Sequence, residues 1–147
     1  MKTFINLIIT FSLFIYLFSQ NVYSAEKIKI GLIVPLSGEY KLIGKSIVRS
    51  VRLAINKIND GKIEIIPRNT KSNPKETLKV SQELRDLGVK IIIGPVFNEN
   101  VKYLNQINEI TFLSFTNKIY GNPKNVISSG VNAISQINTI KKFQIPF

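Results

Sequence analysis

The side chains able to do chemistry stand where apolar runs break. Ser37-Gly38 follows the run Lys27 to Val34, Asn98 follows Gly94-Pro95, and Thr116-Asn117 follows Thr111 to Phe115. Where such a break leads into a helix, free backbone N–H groups and a partial positive charge favour an anion such as a carboxylate. The Asn98 side chain, or an N–H from Asn98 to Asn100, would hold one carboxylate oxygen, and the Ser37 and Thr116 hydroxyls would add bonds. Tyr40 is placed to stack on a ligand or close over it. The plainer role of Ser37, Asn98 and Thr116 is to cap helices and close turns, and that of Tyr40 is packing. Glu39 and Glu99 could meet a substrate amine, but no spacing rule ties them together as a catalytic pair.

The chain has no histidine and no cysteine. That removes the commonest metal ligand, the commonest general base near neutral pH, and any disulfide. No phosphate loop, Rossmann glycine triplet or metal-ligand cluster is present, and Gly44-Lys45-Ser46 lacks the earlier glycine of a P-loop. The expected chemistry is therefore binding, with no catalysis, no cofactor and no metal.

The elements that must carry these residues alternate. Lys27 to Val34 is apolar enough for a strand buried on both faces. Ile43, Ile47, Val51, Ile55 and Ile58 then recur at helical steps, closed by Asn59-Asp60-Gly61. Lys62 to Ile66 is a short strand that Pro67 ends or places at an edge. Asn73-Pro74-Lys75-Glu76 has the N-cap, first-turn proline and capping-box glutamate of a helix start, and Leu78, Ser81, Leu84 and Leu87 mark its face up to Gly88. Val89 to Ile93 is a third strand. A helix from Asn98 is expected to bury Val101, Leu104 and Ile107. Thr111 to Phe115 and Val126 to Ser128 are further strands, and Ala133 to Phe143 returns to helical spacing.

Strand–helix alternation of this kind predicts a doubly wound α/β fold with a parallel sheet, whose ligands sit beyond the C-terminal ends of the strands. Those ends are Pro35 to Gly38, Arg68 to Lys71, Gly94 to Asn98 and Thr116 to Lys118.

Residues 1–24 read as a secretory signal peptide: Lys2 supplies a positive start, Phe4 to Phe18 is nearly unbroken apolar sequence, and Val22-Tyr23-Ser24 fits cleavage before Ala25 or, second, before Glu26. An uncleaved anchor is the alternative. Export to a periplasm also weighs against a nucleic-acid partner, although 20 Lys and Arg stand against nine Asp and Glu, a net charge of +11. Attraction to anionic lipid or an acidic cell-wall polymer, or general over-use of Ile, Lys and Asn, accounts for that excess instead. Residues 25–147 suffice for one domain.

The ordered segments KIKIGLIVPLSGEYKLIGKSIVRSVRLAINKIN and NPKETLKVSQELRDLGVKIIIGPVF resemble the opening of type 1 periplasmic binding proteins of the leucine-binding class. The resemblance covers Lys27 to about Phe143 and implies a two-lobed clamshell that closes on a small solute, commonly an amino acid, and delivers it to an ABC-type importer. On it, residues 25–147 form only the N-terminal lobe. The family's Ser-Gly turn falls on Ser37-Gly38, its contact at the third helix start on Asn98, and its contacts after the fourth strand on Thr116 and Lys118, with Asn117 in the same strand end. Asn98 and Lys118 depart from the small or hydroxylated residues typical of amino-acid binders. GPVFNENVKYLNQINEITFLSFTN is similar to elements of penicillin-binding protein activators, which implies an alternative role: contact with a peptidoglycan synthase instead of solute delivery.

Overall fold

The computed structural model describes residues 5, 27–117, 121, 123–130 and 133–143; the leader apart from Ile5, Lys118 and Asn122 lie outside the described residues. Its elements are β1 (Ile28–Val34), α1 (Lys41–Ile58), β2 (Ile63–Asn69), α2 (Pro74–Asp86), β3 (Ile91–Ile93), two 3-10 turns (Asn98–Val101 and Leu104–Gln106), β4 (Thr111–Ser114), β5 (Val126–Ser128) and α3 (Ala133–Phe143). The five strands form one parallel sheet in the order β2-β1-β3-β4-β5.

This order reverses direction at β1. Right-handed crossovers from β1 to β2 and from β2 to β3 therefore run opposite ways across the sheet, which puts α1 and α2 on opposite faces. The reversal also opens the gap between the β1 and β3 ends where doubly wound sheets take ligands.

The core lies on the α2 face. Ile33, Ile92, Phe112 and Val126 point there from β1, β3, β4 and β5, packed with Val80, Leu84, Val89, Val101, Leu104, Ile107 and Ile110. Full burial of a Leu, Ile or Phe side chain contributes about 1.5–3 kcal/mol, so this cluster dominates the fold's stability. On the α1 face only Leu32 and Val34 are fully covered, while Ile91 is 42% and Ile127 is 53% exposed.

Local chemistry explains the element boundaries. The Asn73 carboxamide oxygen accepts from the backbone N–H groups of Lys75 (2.9 Å) and Glu76 (3.1 Å), capping α2. Glu76 does not return the capping-box bond. The Asn73 N–H donates to the Thr70 carbonyl (2.9 Å), and the Glu76 carboxylate pairs with Lys71 at 3.2 Å.

The buried face of α2 is Thr77, Val80, Ser81 and Leu84, with Leu78 only half-buried and Leu87 exposed. The expected Leu78–Ser81–Leu84–Leu87 stripe is thus rotated. Threonine and serine can take core positions because their hydroxyls donate to the Asn73 and Thr77 carbonyls (2.8 and 2.7 Å), leaving little polarity to hide.

Three expectations shift. The second strand runs on to Asn69, and Pro67 is tolerated inside it because β2 is an edge strand with one unpaired side. The third strand begins only at Ile91. The helix expected from Asn98 is replaced by the two 3-10 turns. Val101, Leu104 and Ile107 are nevertheless buried, because a connection with three apolar anchors at helical spacing can satisfy them with short turns.

Gly44 joins α1 to the sheet. A Cβ on this residue would lie 1.8 Å from the Pro35 carbonyl oxygen, so only glycine lets the first turns of the helix sit against the backbone that leaves β1. The glycine of the Gly-Lys-Ser triplet is therefore a packing residue. It fixes the short turn Leu36–Tyr40 between two anchored ends.

Candidate functional site

Four strand ends meet along one edge of the sheet, and the turn after β1 is tied by hydrogen bonds to the end of β2. The Asn69 carboxamide oxygen accepts from the backbone N–H of Leu36 (2.8 Å) and of Lys71 (2.9 Å), and its amide nitrogen donates to the Ser37 hydroxyl (2.8 Å). Two backbone donors on one oxygen fix which way this amide points. Ser37 therefore acts as acceptor toward Asn69 and keeps its own hydrogen to donate elsewhere. In the sequence Arg68 to Lys71 is marked as a strand end, and Asn69 is not singled out within it. The signal was present: an Asn closing a strand readily bonds backbone two residues on.

Gly38 stands next, at φ +74°, with its carbonyl accepting from the Lys41 N–H (3.2 Å) and nothing near the position of a Cβ. This left-handed turn swings the chain into α1 and leaves open space above the backbone. Tyr40 lies at the helix start, 39% exposed, and its ring meets that of Phe97 at a centroid distance of 4.7 Å and an interplanar angle of 58°. The pair spans the gap between the β1 and β3 ends, each ring supporting the other. Phe97 lies in the strand end Gly94 to Asn98 and in the GPVF motif, but the sequence gave its ring no place at the site.

Beyond the ring pair, Val96, Phe97, Asn98, Phe115, Thr116, Asn117 and Gly130 line an open cleft of about 420 Å³. A second hollow of about 550 Å³ shares Asn98 and is bounded by Pro74, Glu99, Lys102 and Gly121. Asn98, Thr116 and Asn117 thus come together at one cleft. Ser37, Gly38 and Tyr40 come together at the neighbouring turn, and the Tyr40–Phe97 contact joins the two groups. Lys118 lies outside the described residues.

The carboxylate-holding scheme changes in detail. The Asn100 N–H donates to the Phe97 carbonyl (3.1 Å), closing the first 3-10 turn, so it does not face the cleft. The Asn100 side chain is 1% exposed, and among the described residues its amide has no hydrogen-bond partner. Thr116 is only 6% exposed, and its carbonyl accepts from the Ser128 hydroxyl (2.6 Å). Its neighbour Ser114 donates to the Pro95 carbonyl (3.0 Å) and so locks β4 to the loop after β3. Thr116 shapes the cleft wall, whereas Asn98 and Asn117 offer it more accessible amides.

Chemically, this rim offers hydroxyl and amide donors and an aromatic pair, with no carboxylate among the described residues that line the smaller cleft. Among the described residues no group of three or more His, Cys, Asp or Glu is placed to hold a metal ion. Glu39 and Glu99 are exposed and sit on different turns, which gives no support to a carboxylate pair.

Comparison with known proteins bears on what such a rim is for. The profile of the family described as "Periplasmic binding protein" matches residues 27–143. No curated protein matches the chain. Among solved structures, a solute-binding protein of an ABC transporter from Rhodopseudomonas palustris BisB5, in complex with 3,4-dihydroxybenzoic acid, is 25% identical, with 69% of this chain and 31% of that one covered and a TM-score of 0.63. Another R. palustris solute-binding protein, in complex with 4-hydroxybenzoate, is 20% identical over 81% of this chain and 37% of that one, TM-score 0.65. The C-domain of LpoA from Haemophilus influenzae, a regulator of PBP1A, is 21% identical over 80% of this chain and 38% of that one, TM-score 0.61. The chain spans about a third of the length of each of these structures.

Proposed function

The chain belongs to the periplasmic binding protein family, and on that premise we propose that the strand-end rim is one wall of a solute cleft in a protein exported to the periplasm through the leader 1–24. The solute is a small carboxylate such as an amino acid or an aromatic acid, and its destination is an ABC-type importer.

The observation that carries this reading is the Ser37–Asn69 bond. It leaves one hydroxyl hydrogen at the rim, beside the Tyr40 and Phe97 rings and next to a cleft with Asn98 and Asn117. A carboxylate oxygen would take the Ser37 hydrogen and the Asn98 amide, while the organic part of the solute packs on the rings. The bound aromatic acids of two related structures fit the same chemistry. Family membership is that of substrate-binding proteins, so no catalytic step is assigned.

The test is nuclear magnetic resonance titration of the chain with a panel of amino acids and hydroxybenzoates. A single wall gives affinity of roughly millimolar order, because such sites gain much of their strength by closing over the ligand. Shifts concentrated at Ser37–Tyr40 and Val96–Asn98, and abolished by Ser37→Ala, are the expected result. A panel that leaves these residues unmoved at saturating concentration counts against solute binding.

The second reading, a regulator of peptidoglycan synthesis, is favoured by the Gly94-Pro95-Val96-Phe97 and Leu113–Asn117 elements and by the fold it shares with LpoA. It places a penicillin-binding protein, not a solute, against the rim. Retention of a periplasmic synthase on immobilised protein, lost on Phe97→Ala, would select this reading over the first.

A further inference from the structure

The outward half of α1 has an unusual composition. The helix carries Lys41, Lys45, Arg49, Arg52 and Lys57 and no acidic residue. At about 100° per residue, Lys41, Lys45, Arg49 and Arg52 fall within roughly 80° of the helix circumference, and Leu42 and Leu53 lie within about 40° of that stripe. Both leucines are outside the core, 76% and 70% exposed, and all five basic residues are exposed. The sheet-facing side is a separate surface, made of the half-buried Ile47, Val48, Val51 and Ile55 with the buried Gly44. Exposed leucines are therefore not leftovers of the packing face.

Compositional bias does not explain this pattern. On α2, Lys75, Lys79 and Arg85 are matched by Glu76, Glu83 and Asp86. The ion pairs among the described residues join Arg68 to Glu83, Lys71 to Glu76 and Arg85 to Asp86, and none involves α1. The positive charge of α1 is thus unopposed within its own helix and, among the described residues, unpaired.

We propose that this face is a membrane-association surface: α1 lies flat on an anionic lipid bilayer, with Lys41, Lys45, Arg49 and Arg52 among the headgroup phosphates and Leu42 and Leu53 entering the boundary of the acyl region. Charge complementarity selects an anionic surface. The two leucines select a bilayer over a soluble polyanion, since a hydrated polymer offers nothing to a bare isobutyl group. The proposal is independent of the solute-binding reading, because it uses solvent-exposed side chains of α1 and none of the rim residues.

Co-sedimentation of the full chain with phosphatidylcholine vesicles, with and without about one-third phosphatidylglycerol, tests it. The quantity read is the ratio of the two partition coefficients, to which an apolar leader contributes equally in every variant. Each Lys or Arg held near an anionic surface is worth roughly fivefold in partition. Lys45→Gln with Arg49→Gln should therefore lower the ratio about 25-fold, and salt of about 0.5 M should collapse it. Leu53→Ser should lower partition to anionic vesicles several-fold at low salt. Lys75→Gln with Lys79→Gln, the same loss of charge on α2, should leave the ratio unchanged. Equal partition to both vesicle types, wild-type binding by the α1 double variant, or an equal fall with the α2 variant overturns the proposal. So does binding to soluble polyphosphate that Leu53→Ser weakens no differently from vesicle binding.

Discussion

The two faces of the sheet are built from the same residue types and end in different states. On the α2 side, Ile33, Ile92, Phe112 and Val126 are sealed beneath a helix and two 3-10 turns. On the α1 side, Ile91 and Ile127 come from the same strands and stay 42% and 53% exposed. Adjacent residues of one strand differ only in which way the pleat turns them. What seals a face is the number of crossovers delivered to it, not its hydrophobicity. Among the described residues, two connections, β2 to β3 and β3 to β4, pack on the α2 side, whereas α1 covers β1 on the other.

That difference should appear directly in stability. Phe112→Ala removes the largest fully buried side chain among the described residues and is expected to cost about 3–5 kcal/mol in denaturant unfolding. On the opposite face α1 comes so close to the Pro35 backbone at Gly44 that Gly44→Ala should cost about 1–3 kcal/mol, with α1 displaced from Pro35. A cost near zero would mean that α1 is held by something other than this contact. At the start of α2, Asn73→Ala should lower stability by about 1 kcal/mol through loss of two capping bonds, an effect that equilibrium unfolding resolves. Ile127→Ala, a truncation on the open face, should fall within about 0.5 kcal/mol of wild type. A loss as large as that at Phe112 would show that this face is covered in solution and would undo the comparison.

Much of the fold was legible because hydrophobic period and punctuation agree. The α1 repeat, the Asn73-Pro74 start and the Ala133–Phe143 spacing each gave a helix in the right place. The miss at Asn98–Gln106 has a physical cause. Val101, Leu104 and Ile107 satisfy helical spacing, but burial of three anchors fixes where a segment touches the core and not which turn joins them. The α2 stripe was misassigned because Thr77 and Ser81 carry polarity that their own helix absorbs. Periodicity read by residue type alone cannot see that.

At the rim, position was easier to infer than contact. Parallel topology requires the strand ends to share an edge, so Ser37, Asn98, Thr116 and Asn117 could be placed there from spacing. The residues that organise them, Asn69 and Phe97, act across chain separations of 32 residues, from Asn69 to Ser37, and from one turn to another, from Phe97 to Tyr40. No local pattern encodes such a meeting.

The orientation of the Asn69 amide has a consequence for what this edge would accept. With nitrogen toward Ser37, the serine hydrogen is pointed away and greets electron-rich partners. An aspartate at the same position would keep both backbone bonds to Leu36 and Lys71 but would claim that hydrogen for itself, and the serine would then show only lone pairs outward. One atom exchanged in a residue that need touch no ligand would turn the Ser37 corner of the rim from a hydrogen-bond donor into an acceptor.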